Sequence, residues 1–129
     1  MTSQEQALLA RAVEALKAAR YNLEGSFLTT AVNRTYYAAF YTAQAALLSL
    51  GESPKTHTGV LHRFLLHFVQ TERLPQAHAR TLPQAYQLRL EADYDDGEVI
   101  EPEAAQELLD EVDGFVAVMH QLLMEGKAE

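Results

Sequence analysis

The run Asn33-Arg34-Thr35-Tyr36-Tyr37-Ala38-Ala39-Phe40-Tyr41 decides how this chain is read. It lies within Ser26 to Leu50, a stretch free of Gly and Pro and rich in good helix formers. Phe27, Ala31, position 34, Ala38, Tyr41, Ala45 and Leu48 recur at alternating steps of four and three, the spacing that lines one face of a helix. Position 34 is arginine. A guanidinium stays charged inside a protein, so a buried one needs a carboxylate or several carbonyls beside it. Two readings stand. Either Arg34 packs its stem and keeps its head in water, or holds a structural ion pair, or it belongs to a fixed polar site within a helical bundle.

Working outward, Ser3 followed by Gln6 predicts a capped helix from Ser3 to Glu24, with Gly25 as a stop that can take positive φ. The second helix follows over Ser26 to Leu50 with almost no loop, which favours an antiparallel neighbour. Glu52 to Thr58 reads as a loop. Thr56 or Thr58 caps a third helix that runs to about Gln70 on the stripe Val60, Leu61, Phe64, Leu65, Phe68 and Val69. A fourth helix spans Pro75 to Asp95, kinked or split near Thr81 by Pro83. Asp95-Asp96-Gly97 is a turn signal. Pro102 opens the last helix, whose apolar face carries Ala105, Leu108, Leu109, Val112, Val116, Met119, Leu122 and Leu123. The expectation is an all-α, up-and-down bundle of four to five helices forming a single domain over residues 1–129.

Composition bounds the function. The formal charge of −8 argues against binding driven by attraction to a nucleic-acid backbone or an anionic membrane, though it permits a local basic site. With no cysteine there is no disulfide framework and no thiolate ligand or nucleophile. The start lacks the features of a signal peptide, and no apolar run approaches the roughly 18 residues that span a bilayer, so a cytoplasmic protein is expected.

The chemistry-bearing residues fall on two helices. The fourth repeats the pattern of the second: its inner face reads Leu82, Ala85, Tyr86, Arg89, Asp93. Arg89 and Asp93 are four apart and can touch. If the second and fourth helices pack side by side, Arg34, Arg89 and Asp93 form one cluster among Tyr36, Tyr37, Tyr41, Tyr86 and Tyr94, with Glu91 as a further acid at hand. Such a cluster is either a lock on helix register or an anion site, since guanidinium forks suit phosphate oxygens. His57, His62 and His67 are five residues apart and fan out around a helix, so no metal site is expected. His57, between two threonines, reads as a loop-fixing residue rather than a general base. There is no glycine-rich phosphate loop and no readable Ser/His/Asp arrangement.

Three blocks carry a resemblance. Ala31-Val32-Asn33-Arg34-Thr35-Tyr36-Tyr37-Ala38-Ala39-Phe40 resembles the helix-two signature of HEPN-domain proteins. Pro54-Lys55-Thr56-His57-Thr58-Gly59-Val60 and Leu88-Arg89-Leu90-Glu91-Ala92-Asp93-Tyr94 resemble later blocks of one branch of that family, in the same order and spacing. The resemblance implies a helical bundle that dimerises and acts beside a minimal nucleotidyltransferase, often as a toxin–antitoxin pair. It assigns Arg34, Tyr37, His57 and Arg89 to a bound nucleotide or RNA phosphate, with no metal or cofactor, no membrane and no DNA. Several HEPN proteins are metal-independent RNases using an arginine followed, after four to six residues, by histidine. Here the arginine is Arg89 and the histidine position holds Tyr94, while Leu90 replaces the polar residue often found next to the arginine. A tyrosine of ordinary pKa is a poor base at neutral pH. The alternative expectation is therefore a degenerate RNase toxin in which Arg89, Asp93 and Tyr94 act across a dimer.

Overall fold

The structure, a computed structural model, describes residues 1–93 and 100–127. Its described residues form five α-helices and no strand: α1 (Ser3–Glu24), α2 (Leu28–Leu48), α3 (His57–Phe64), α4 (Thr81–Asp93) and α5 (Pro102–Lys127). The all-α bundle read from the sequence is the observed fold. The predicted Asp95-Asp96-Gly97 turn lies outside the described residues.

The cap of α1 falls one residue earlier than expected. Thr2, not Ser3, accepts the Glu5 amide on its hydroxyl at 3.1 Å and donates to Glu5 Oε2 at 3.0 Å. Starting at Thr2 puts a carboxylate, rather than the neutral Gln6, at the positive end of the helix. At the next turn Gly25 keeps φ −81°, and Ser26 takes the left-handed conformation at φ 64°. Gly25 serves space instead, because a Cβ there would lie 3.0 Å from the Phe27 ring. With Ser26 left-handed and Phe27 at ψ 74°, α2 begins at Leu28, two residues later than predicted, and Phe27 turns out to solvent.

Helix α2 packs against all four other helices. The predicted stripe through Ala31, Ala38 and Ala45 is buried, but so are Val32, Tyr36, Phe40, Ala43 and Leu47 on other sides. The many alanines let neighbours approach from several directions at once. Thr35 and Thr42 are also buried, and each hydroxyl donates at 2.8 Å to the carbonyl one turn back, so no polar group is orphaned by the burial.

Thr56 caps α3 by accepting the Gly59 amide at 2.9 Å, and His57 is its first residue. The helical path continues to Val69 as predicted, but Leu65–Val69 is a wider π turn. After a 3-10 turn at Gln76–His78, α4 starts afresh at Thr81. The break near Thr81 is therefore a split, and Pro83 sits in the first turn, where a missing amide hydrogen costs little. In α5 the predicted face is buried through Ala105, Leu109, Val112 and Met119. Phe115, absent from that stripe, is also fully buried, meeting Phe64 edge-on at 5.7 Å.

Candidate functional site

The Asn33–Phe40 block of α2, the first turn of α3 and the last turns of α4 meet at one place. Tyr36 is 1% exposed, and its ring lies 5.8 Å from Tyr86 on α4. Its hydroxyl is 2.6 Å from His57 Nδ1. The His57 imidazole stacks on Phe40 at 4.3 Å with 12° between planes, and it meets the Tyr37 ring edge-on at 5.9 Å. The Thr56 cap fixes where the chain enters α3, and so where this ring can sit.

The two arginines share Tyr37. Arg34 Cζ lies 5.0 Å from its ring centroid and Arg89 Cζ lies 5.7 Å from it; Arg89 is also 5.1 Å from the Tyr36 centroid. Cation–π contact holds both guanidiniums against the aromatic cluster. Arg89 Nε is 3.2 Å from Asp93 Oδ2, within ion-pair range. The same Nε is buried without a well-aligned hydrogen bond among the described residues, so the pair is electrostatic contact and the N–H finds no acceptor there. Arg34 departs from expectation. Its Nε and Nη2 both donate to Asn33 Oδ1, at 3.2 and 2.9 Å, and no carboxylate pairs with it among the described residues. The reason is local: the neighbouring amide and the Tyr37 face already satisfy one edge of the fork.

Burial pushes the Tyr36 phenol well above the ordinary tyrosine value, opposed by the nearby Arg89 charge. Burial, and then Arg89, push the His57 imidazole below its ordinary value. Both groups are therefore uncharged at neutral pH, and Arg89 is a fixed cation beside them.

Of the residues singled out in the sequence, Arg34, Tyr37, His57 and Arg89 are brought together, and Asp93 joins them through Arg89. Glu91 does not; it is exposed and accepts from Gln87 at 3.3 Å. Tyr94 lies outside the described residues. Sequence reasoning missed the Tyr36–His57 bond and the Phe40 stack, whose sole signal was the density of rings in the helix-two block. Clefts of about 370, 350 and 320 Å³ are lined elsewhere, by Arg11 and Glu52, by Glu5 and Arg73, and by Arg20 and Asp113 with their neighbours. Among the described residues no three His, Asp or Glu side chains converge to hold a metal ion, and no helix is long and apolar enough to cross a membrane.

The arrangement offers guanidinium and imidazole N–H groups around aromatic faces, with Asp93 the one carboxylate among them in the described residues. That chemistry suits an oxyanion carried next to a flat ring.

Comparison with known proteins agrees with the fold. The HEPN domain model matches residues 5–122. A protein of Methanocaldococcus jannaschii named a "putative toxin" is 37% identical over 120 residues, 93% of this chain and 89% of its own length. A UPF0332 protein of Gloeobacter violaceus is 40% identical over 94 residues, covering 73% of this chain and 75% of its own. A UPF0332 protein of Thermotoga maritima is 33% identical over 113 residues, covering 88% and 86%. A match that runs through all five helices, with relatives alike over most of both chains, makes this chain a member of the HEPN domain family.

Proposed function

We propose that this HEPN protein binds the phosphate of a nucleotide or RNA at the cluster of Arg34, Tyr37, His57 and Arg89, and that it works as a homodimer beside a minimal nucleotidyltransferase in a toxin–antitoxin type of system. The observation that carries the binding site is the convergence of two guanidiniums on one tyrosine ring, with an unmatched Arg89 N–H beside them. The support for the dimer and the partner is the family resemblance, and the toxin context comes from relatives that bear that name. Calorimetry with ATP and with a short single-stranded RNA tests the site. Wild type binds, and Arg89→Ala loses about 10- to 100-fold in affinity, the range for a hydrogen bond to a charged group. No heat from either ligand with the wild type removes the reading. Light scattering on the purified chain, and co-purification with a minimal nucleotidyltransferase, test the assembly.

A second reading is a metal-independent RNase. The contact between Arg89 and Asp93 favours it, because a carboxylate beside the arginine supplies the one candidate base in the described cluster. Cleavage of RNA in the presence of a chelator, lost in both Arg89→Ala and Asp93→Asn, is its expected signature; intact RNA across neutral to mildly alkaline pH leaves binding alone.

A further inference from the structure

His57 is held from two sides. Phe40 fixes the plane of the ring, and the Tyr36 hydroxyl pins Nδ1 at 2.6 Å. Tyr36 is almost wholly buried, and among the described residues Nδ1 is the one hydrogen-bond partner of its hydroxyl. A buried phenol that keeps its proton needs an acceptor. Tyr36 therefore donates, Nδ1 supplies the lone pair, and the ring proton lies on Nε2, at the far edge of the half-buried imidazole. The titratable and charged groups about this ring are Tyr36 and Tyr37 from α2 and Arg89 from α4; no carboxylate contacts it among the described residues. Nothing there draws a second proton onto the imidazole, and Arg89 discourages one.

We propose that Tyr36 is a positioning residue that fixes His57 as an Nε2–H donor, so that the imidazole offers a phosphate oxygen a neutral hydrogen bond beside the Arg89 guanidinium and does not act as a base. This rests on the phosphate-binding reading of the same site. It goes further by giving His57 one role and excluding another. It also assigns a ligand-directed task to Tyr36, a residue buried away from the surface. The site then recognises an oxyanion at neutral pH with donors already in place, and a ligand that needed His57 to accept a proton at Nδ1 would be refused.

The test reads the histidine directly. Two-bond proton–nitrogen spectra of the free protein report the tautomer of His57, expected to be Nε2–H from pH 6 to 8. ATP is then titrated at pH 6, 7 and 8. Wild-type affinity is expected to vary across this range only as the ATP phosphate itself titrates, near pH 6. Tyr36→Phe, which keeps the ring in the core, is expected to mix the tautomers and weaken binding about 3- to 10-fold at pH 8, the worth of one neutral hydrogen bond. Binding by this variant then tightens toward pH 6 as the freed imidazole gains a proton. His57→Gln, whose amide reaches the Nε2 position, retains most of the affinity, and His57→Ala does not. Should Tyr36→Phe fail to fold, the wild-type spectrum and the His57→Gln and His57→Ala pair still decide. An Nδ1–H or charged His57 at pH 7, or equal ATP binding by wild type and His57→Ala, overturns the inference. If the wild type binds neither ATP nor the short single-stranded RNA although His57 shows the Nε2–H form, the phosphate-binding reading itself fails, and the donor role falls with it.

Discussion

Arg89 and Arg34 show how differently two arginines on inner faces can settle. Each was legible from helical spacing, because a charged residue at an apolar position stands out in any window. Their partners were not equally legible. Asp93 is one turn from Arg89 and was visible in the sequence, whereas Arg34 turns to its own neighbour Asn33, a contact that spacing rules do not weigh. The Tyr36–His57 bond joins residues on two elements, 21 positions apart, and no local pattern reaches that far. Phe115 escaped for another reason. It lies beside the Val112–Val116–Met119 line of α5, and it is buried because Phe64 and the rest of the core wrap around that side too. A fully buried ring of this size leaves a large void when removed. Phe115→Ala is expected to cost about 3–5 kcal/mol in urea unfolding, whereas Phe115→Leu, which refills part of the space, costs clearly less.

Among the elements, α3 buries Val60 and Phe64 in the core, and polar contacts tie it to the loop before it. Glu52, in the loop before it, takes Arg63 on both carboxylate oxygens at 2.7 and 3.0 Å, and His67, within the π turn, reaches Oε2 at 2.6 Å. Among the described residues the one wide turn lies where the His67 side chain reaches back to the loop. Hydrogen bonds from Arg63 hold the Glu52 carboxyl below the ordinary glutamate value. A carboxylate with a depressed folded-state pKa lends stability that is complete at neutral pH. That stability is lost as pH falls below about 4.3 and through the folded value. Glu52→Gln should therefore unfold at lower urea than wild type at pH 7, and the gap should shrink as titrations are repeated toward pH 3; a gap independent of pH would show that packing, not charge, ties the loop to the helix. Helix existence, order and most boundaries were readable from stripes, caps and prolines. The π turn and the left-handed Ser26 had no such signal, whereas the first cap was written locally: Thr2 and Glu5 have the same spacing as Ser3 and Gln6, and the pair with the carboxylate is the one that forms.

For the molecule as a whole, a net charge of −8 surrounds a small cationic cluster. Long-range attraction to a polyanion is not favoured by that charge, so the proposed phosphate recognition is short-ranged and rests on two arginines. Raising salt from 50 to 200 mM should weaken RNA binding with a log–log slope of about −1 to −2, set by two contacts, and not the −6 or steeper of a protein that tracks a backbone. Filter binding across that range measures it. Helix α2 stands at the centre of the same molecule with scarcely any wet side. Its amide hydrogens between Ala38 and Leu47 can reach deuterium only when the four helices around it part together. They should be the last in the chain to exchange, at a rate that reports global opening, while the ends of α1 and α5 trade hydrogen through local fraying.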